Sequence, residues 1–364
     1  MTMDQLLNRT YKEGEIRQTD APVLTTTTGV FNAVFGAKVF SQLNQTANTL
    51  GALKKYVWPQ SGFRAMTARS SASGGGVAQG GALPDTEKPT FAEITVTLKD
   101  VAHNFEESTR KTAISAAGDD TIPWEELREL MGIHHAEMLN KMLHVDGDTL
   151  AGNNLESIDR VVSSAAEATA FSWTTADEDI YGIDRSAASW ADAIVLHASG
   201  TDRVISDLLV RSLGQQTLAA GAELSGQFWV TGYDTWSDIT GLYQSQVVYN
   251  PVGGSYIAPS INGVSVAAPG VNFGVHAATL YDRPVIIDKD TVKDTKSRIY
   301  LLDGSDPGSR GRPRLGIALA QPTVYVESES MFAINKLGKE GMYYTQAELV
   351  CTFFACQGKI RDLL

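Results

Sequence analysis

Residues 80–115, GGALPDTEKPTFAEITVTLKDVAHNFEESTRKTAIS, decide the fold of this 364-residue chain. From Phe91 to Leu98 apolar residues nearly alternate with polar ones, a pattern typical of a β-strand. Before this strand lies SGFRAMTARSSASGGGVAQGG (61–81), which is too rich in glycine and serine to form a core of its own. The sequence therefore predicts a long excursion over 52–90 that leaves on one strand and returns on another.

Such an excursion needs a partner. Ordering a chain segment costs conformational entropy, and this segment has few apolar side chains with which to offset that cost locally. A neighbouring copy of the same chain is the natural place for it to be buried. We therefore expect a homo-oligomer.

The clearest helix is predicted over about 121–145. Asp120 or Thr121 can cap its first turn, and Pro123 fits there because a helix leaves its first N–H groups unbonded. Its apolar stripe recurs at spacings of three and four and consists of Trp124, Leu127, Met131, His134, Met138, Met142 and Val145.

The other regions complete a mixed α and β pattern. Residues 1–28 are predicted to be an extended arm, and 29–51 contain a helix that Gly51 can end. In the middle region, 201–222 is predicted to be helical, and FWVTG, SQVVYN and RPVIID are predicted strands. The tail is predicted as consecutive strands, PTVYVES, MFAINK and YYTQAELVCTFFACQG.

Composition excludes several classes of protein. The formal charge of −12 opposes tight, non-specific binding to nucleic acid, and no apolar run approaches the length of a membrane helix. The polar start lacks the layout of a secretory signal, so we expect synthesis in the cytoplasm. Residues 1–84 carry eight basic and four acidic side chains, whereas 85–160 carry seven and sixteen. A basic arm on an acidic body favours contacts between subunits, although a chance imbalance on a solvated surface is an equal alternative.

The search for chemistry finds little. GGGVAQGG completes no nucleotide-binding motif, and no G-x-S-x-G sequence is present. His134 and His135 are adjacent on a helix and point about 100° apart, a poor geometry for one metal. Cys351 and Cys356 are five positions apart in one predicted strand and so face opposite sides. We predict no enzyme activity, no cofactor and no metal.

The order of these pieces resembles the HK97-type major capsid proteins of tailed double-stranded DNA viruses. Residues 80–115 look like the returning limb of that family's extended loop, and the helix ending in HVDGDTLAGNN is similar to its spine helix. LYDRPVIID followed by IYLLDG looks like the strand pair that returns from the axial lobe. The segment from PTVYVES to KIRDL resembles the closing strands of the peripheral domain.

The resemblance implies an α+β capsid fold and a shell of pentamers and hexamers around DNA that is bound without sequence specificity. Portal, scaffolding and decoration proteins are its expected partners, and the virion is its expected location. The implied domains are an N-arm (1–28), an N-terminal helix region (29–51), an extended E-loop (52–98), a peripheral P-domain (99–160 and 311–364) and an axial A-domain (161–310).

The resemblance also implies which residues meet neighbouring subunits. The expected contacts on the tip and limbs of the E-loop are Trp58, Phe63, Arg64, Arg69, Gly75, Leu83 and Pro84. Packing of the spine helix is expected from Trp124, Leu127, Met131, Met138 and Met142. No Lys lies between Tyr56 and Glu87, so we expect no cross-link through a loop lysine, and any scaffold is expected to be a separate protein.

Two rival interpretations stay open. An encapsulin, a cellular nanocompartment with the same fold, would enclose a protein cargo instead of a genome. A hydrolase with unrecognised catalytic carboxylates would be a monomer or small oligomer with a concave acidic pocket.

Overall fold

A computed structural model describes residues 47–58, 62–69, 76–77, 79–82, 89–109, 124–243, 260–261, 264–265, 277–307, 311–328 and 337–364. The helices in these residues are α1 Asn48–Ala52, α2 Trp124–Leu143, α3 Ile158–Val161, α4 Ala165–Ala170, α5 Thr175–Glu178, α6 Asp207–Ala219 and α7 Tyr233–Tyr243. The strands are β1 Lys55–Val57, β2 Gly62–Arg69, β3 Pro89–Thr95, β4 Lys99–Ser108, β5 Ile194–Leu196, β6 Gln227–Thr231, β7 Ser260–Ile261, β8 Val264–Ser265, β9 Ala277–Leu280, β10 Arg283–Ile287, β11 Ile299–Asp303, β12 Leu315–Ser328, β13 Gly338–Cys351 and β14 Gly358–Ile360.

Packing divides the chain into two compact units. In the described residues the smaller unit draws on Asp100–Met138 and Gln321–Gln346. The larger unit consists of Ala47–Lys99, Leu139–Ala320 and Ala347–Leu364. One sheet has four strands, in the order β1-β12-β13-β4.

The larger unit is built on a six-stranded sheet of order β5-β14-β11-β6-β10-β9. All five residues of β6 and of β11 are buried, as expected for inner strands covered on both faces. Helix α6 packs on this sheet through Val210 and Leu213, and Ser206 caps its first turn by accepting a hydrogen bond from the Leu209 N–H group. The core is therefore assembled from segments far apart in the sequence.

In the smaller unit, the first part of α2 packs on aromatic residues of the sheet. Phe105 and Leu127 are buried, and four half-buried side chains surround them: Trp124, Met131, Tyr325 and Tyr343. Helix α2 carries Glu125 and Glu126 in its first turn, where they complement the positive end of the helix dipole.

Most of the predicted elements in the described residues are confirmed. The long helix spans 20 residues within the predicted 121–145, and the helix predicted over 201–222 is α6. FWVTG and RPVIID correspond to β6 and β10. The arm 1–28, most of the helix in 29–51, SQVVYN and MFAINK lie outside the described residues.

Two predictions about strands were wrong. The last strand ends at Cys351, and Phe354–Cys356 is a 3-10 turn, so the two cysteines do not share a strand. RPVIID and IYLLDG lie in the same sheet, but they are not neighbours because β6 pairs with both β10 and β11. The sequence could not show that β6 lies between them, since all three strands are equally apolar. The predicted division into arm, E-loop, P-domain and A-domain stays a prediction.

Candidate assembly surface

The excursion forms a two-stranded antiparallel hairpin of β2 and β3. One face of its base is anchored in the larger unit: Ile94 is 2 % exposed in a cluster with Tyr56 and Trp58, and half-buried Phe63 packs against that cluster. The Trp58 and Phe63 rings meet edge to face, with centroids 6.3 Å apart. Gly62 is required here, because a Cβ atom would lie 2.1 Å from the Ile94 carbonyl oxygen.

The opposite face of the hairpin is exposed. Met66 and Phe91 are directly paired across the two strands, and they are 55 % and 60 % exposed. Next to them Arg64 and Glu93 form an ion pair at 2.6 Å, with both side chains largely in solvent. An apolar cross-strand pair on a two-stranded ribbon has no second layer to cover it, and such a ribbon is marginally stable unless its apolar face is buried.

A groove of about 520 Å³ opens beside the base of the hairpin. Arg64, Glu93 and Arg312 supply its charged side chains, and Phe63 and Ile94 supply apolar surface. The Arg312 guanidinium lies 5.1 Å from the centroid of the Trp58 ring. The groove is therefore lined by both charged and apolar side chains, as is typical of the rim of a contact surface.

The structure separates the predicted E-loop contacts into two groups. Trp58 is 2 % exposed and Phe63 is half-buried, so both support the hairpin from within this chain. The interpretation of Trp58 as an inter-subunit contact is revised, since so buried a side chain has almost no surface to offer. Arg64 lies on the exposed face.

The backbone of Arg69 pairs with Pro89 at the far end of the hairpin. Gly75, Leu83 and Pro84 lie outside the described residues. For Arg64, Arg69 and these three positions the inter-subunit contact stays a prediction.

The predicted spine-helix residues differ in burial. Leu127 is buried, and Trp124 and Met131 pack against it. Met138 and Met142 are half-buried, whereas the buried apolar positions at the end of α2 are Leu139 and Leu143. The stripe is thus rotated by one residue toward Leu139 and Leu143.

A buried ion network in the larger unit was not predicted. Lys359 of β14 is fully buried, and its Nζ lies 3.1 Å from Asp159 Oδ1 and 2.8 Å from Glu167 Oε1. Arg298 and Arg361 complete the network at 2.7 Å from Asp159 and 2.8 Å from Glu167. Burial acts to raise the pKa of Asp159, but Arg298 and Lys359 hold it well below its usual value. The only signal in the sequence is the position of Lys359 between Gly358 and Ile360, since a lysine buried in a strand needs a carboxylate partner.

The larger unit also holds two carboxyl groups close together. Glu348 accepts hydrogen bonds from the backbone N–H groups of Glu156 and Leu349 at 2.7 and 2.9 Å. Burial raises the pKa of Glu348 to about 8, and the neighbouring charge of Glu156 adds to the shift. Glu348 is therefore largely protonated at neutral pH.

One buried set of side chains contains the residue types of a catalytic triad. Thr49 Oγ1 donates to Asp288 Oδ2 at 2.7 Å and lies 2.9 Å from His144 Nε2. In a triad the carboxylate and the hydroxyl contact opposite nitrogens of the imidazole, but here both lie on the Nε2 side. Asp288 also accepts from the Thr49 N–H group, so the set caps α1. This geometry fits a structural role.

Other chemistry finds no support in the described part of the chain. No group of three or more His, Cys, Asp or Glu residues there has the geometry to hold a metal ion. Burial raises the pKa of both Cys351 and Cys356 to about 12, so neither is an activated nucleophile. Within the same residues, no helix is both long and apolar enough to cross a membrane.

Comparison with known proteins establishes the fold. No family model and no curated protein matches the chain. Its structure is similar to a chain of the Cyanophage A-1(L) capsid asymmetric unit, with a TM-score of 0.62 and 14 % identity over 93 % of this chain and 99 % of that one. It is also similar to the capsid of a native GTA particle, with a TM-score of 0.56 and 16 % identity over 90 % and 93 % of the two chains.

A third similar structure is the holo-SrpI encapsulin complex from Synechococcus elongatus PCC 7942, with a TM-score of 0.46 and 11 % identity over 96 % of each chain. The two capsid structures establish that this chain has the HK97-like capsid fold, as its sequence predicted.

Proposed function

We propose that this chain is the major capsid protein of a tailed virus. Its copies assemble as pentamers and hexamers into an icosahedral shell that encloses packaged double-stranded DNA. The role is structural and not enzymatic. Portal, scaffolding and decoration proteins are the further partners of such a shell, which forms in the host cytoplasm and becomes part of the virion.

The exposed face of the hairpin carries this proposal. Its other face is held in the chain's own core by Ile94, while Met66 and Phe91 form an uncovered apolar pair beside a charged groove. An apolar patch with a polar border is typical of a protein-protein contact. A neighbouring copy that covers this face would stabilise both chains, and repeating that contact around a rotation axis builds a closed ring of subunits.

The charge of the chain supports a container whose wall does not adhere to its genome. The formal charge is −12, and residues 85–160, which include helix α2, carry nine more acidic than basic side chains. In the proposed shell, helix α2 lies on the inner face, where this acidic excess would repel the phosphate backbone of DNA. A positive electrostatic potential over the inner wall of an assembled shell would contradict this part of the proposal.

Sedimentation and electron microscopy of the purified full chain test assembly. We expect capsomers or closed particles, and we expect the double variant Met66→Ser, Phe91→Ser to sediment mainly as single subunits. Leu150→Ser is the matched control, because it makes the same type of change at an exposed turn outside the hairpin. A parent chain that stays monomeric at high concentration would refute the proposal.

The contents of the particles separate the rival functions. Particles purified from virus-producing cells should contain double-stranded DNA that resists added nuclease. A protein cargo in place of DNA would favour the encapsulin interpretation. A monomer that hydrolyses a substrate would favour the hydrolase, and the pocket of about 590 Å³ lined by Glu125, Glu126 and Glu129 is the place to look for its substrate.

A further inference from the structure

Three imidazole rings meet where β4 packs against α2 in the smaller unit. The ring centroid of His103 lies 5.0 Å from that of His134 and 6.3 Å from that of His135. The His103 and His135 rings are stacked, with 8° between their planes. The sequence showed only the adjacent pair on the helix, and the strand supplies the third ring.

The cluster is poorly equipped to hold added protons. His135 is 1 % exposed, and its Nε2 lies 2.8 Å from Thr345 Oγ1. Within the described residues, the Nδ1 atoms of His103 and His135 are buried without a hydrogen-bond partner. A proton added to His135 Nδ1 would therefore be a buried donor with no acceptor, beside another imidazole.

Two uncharged residues of the neighbouring strand β13, Tyr343 and Thr345, contact His135. The Tyr343 ring stacks on His135 with centroids 6.0 Å apart, and its hydroxyl donates to the Arg128 carbonyl. Gly132 allows this approach, since a Cβ atom there would lie 3.1 Å from the Tyr343 ring. The Thr345 hydroxyl oxygen lies 2.8 Å from the Thr323 hydroxyl oxygen on β12.

The elements that form the cluster also carry three buried glutamates, Glu106 and Glu107 of β4 and Glu137 of α2. Glu137 of α2 is buried three residues after His134, and Glu107 of β4 is buried four residues after His103. At about 3.3 Å per residue, Glu107 is roughly 13 Å along the strand from His103. The Arg128 guanidinium lies over the Tyr325 ring, 5.3 Å from its centroid. Even with these charges nearby, the pKa values of His103 and His135 are lowered, which favours the neutral form of both rings.

Burial and the neighbouring imidazoles disfavour protonation of two of the three histidines. Burial, followed by His103 and His134, lowers the pKa of His135 to about 4. Burial and then His134 lower the pKa of His103, and a hydrogen bond to the Met131 backbone opposes this. The two rings thus take up protons more readily once they reach water.

We propose that His103, His134 and His135 form an acid-sensitive contact, which separates the first part of α2 (124–138) from β4 below about pH 6 while the larger unit stays folded. Charged rings 5 to 6 Å apart repel each other in a buried space, and opening the contact lets water solvate them. The contact is fully formed above the ordinary imidazole pKa, and it is lost as the pH falls toward the lowered one. This behaviour concerns the smaller unit alone and does not rest on the proposed shell function.

Hydrogen exchange measured by mass spectrometry on the full chain tests the proposal. Protection factors, which normalise exchange to an unstructured peptide at the same pH, are compared at pH 7.5 and pH 5. For a ring with a pKa of 6.5 in the open state and about 4 in the closed state, linkage predicts a loss of protection of about 30-fold at pH 5. Peptides from 124–138 and from β4 should show it, and peptides from α6 should not.

Three variants show whether these histidines cause the loss. His103→Gln with His135→Gln removes two titrating rings and should reduce the loss to less than threefold. His134→Gln changes a half-buried residue and should give an intermediate loss even where the double variant fails to fold at pH 7.5. His197→Gln in the larger unit is the matched control and should behave as the parent chain.

Two outcomes overturn the proposal. One is a parent chain whose 124–138 peptides are equally protected at both pH values. The other is an acid loss of protection that persists in His134→Gln at the parent level, or that affects α6 to the same extent. An equal loss in α6 would show that acid unfolds the chain as a whole, and a parent-level loss in His134→Gln would show that this ring takes no part in the contact.

Discussion

Side chains are buried in the six-stranded sheet but partly left in solvent in the β2–β3 hairpin. In the sheet, even a charged residue such as Lys359 is fully buried and has two carboxylates within 3.1 Å. In the hairpin, Met66 and Phe91 face solvent although both are apolar. The inner strands of the six-stranded sheet are thus buried within one chain, whereas the hairpin is covered on one face only.

The largest expected effect comes from breaking the buried network. Lys359→Met removes the cation shared by Asp159 and Glu167 and should lower the free energy of unfolding by about 3–5 kcal/mol. Urea denaturation of the purified chain measures this loss. Lys296→Met is the control, because its partner Asp238 is a surface residue and such a pair contributes at most about 1 kcal/mol. Equal losses for the two variants would show that burial of the network is unimportant.

A smaller effect is expected at the base of the hairpin, where the two regions join. Ile94→Ala removes a buried side chain and should cost about 2–4 kcal/mol, with the largest increase in hydrogen exchange in β2 and β3. Phe91→Ala lies in the same strand on the exposed face and should change stability by about 0.5 kcal/mol or less. If the Phe91 variant proves the less stable of the two, the assignment of the two faces is wrong.

The stability of the larger unit should depend on pH through the buried carboxyl group of Glu348. The folded pKa of Glu348 is raised to about 8, so its protonated form contributes stability that is fully present below the ordinary glutamate pKa and is lost as the pH rises toward 8. Glu348→Gln cannot ionise, and its stability should exceed that of the parent by about 1 kcal/mol or more at pH 8.5 but not at pH 5. Thermal unfolding at the two pH values measures the difference.

The control for Glu348 is Glu93→Gln, which changes an exposed carboxylate of the hairpin. It should leave the pH dependence unchanged. A parent chain whose stability does not fall between pH 5 and pH 8.5 would remove Glu348 as a proton-linked group.

The smallest effect on folding is expected where the effect on assembly is largest. Met66→Ser with Phe91→Ser should alter the unfolding free energy of the single subunit by no more than about 0.5 kcal/mol, since both residues are exposed. The particle yield should nevertheless collapse. A loss of subunit stability comparable to that of Ile94→Ala would mean that this face is buried within the chain.

Local patterns predicted much of the fold. The alternation near Phe91 and the spacing of Trp124, Leu127 and Met131 depend on residues within a few positions, and both elements are present. The order of elements was sufficient for the capsid fold to be anticipated. The strand pair failed because pairing joins distant segments, and nothing local indicated that β6 lies between β10 and β11.

The candidate site was harder to predict than the fold. Met138 and Leu139 are both apolar, so spacing alone could not decide which side of α2 is buried. Trp58 was expected at an interface because the glycine-rich excursion lacks a core of its own. The base of the hairpin instead packs against residues of β12 and β13 in the same chain. The pairing of Met66 with Phe91 depends on the register of two strands, which includes an irregularity between Met66 and Ala68.

The place of β14 in the large sheet has a consequence for synthesis. This strand lies between β5 and β11, and its pairing joins Gly358 to Ile194 and to Leu301. While a ribosome is still translating the middle of the chain, the space between these strands cannot be filled, so the sheet closes only after residues 358–360 have emerged. Such late, non-local pairing delays folding, so the core of the larger unit is completed only when nearly the whole chain has been made.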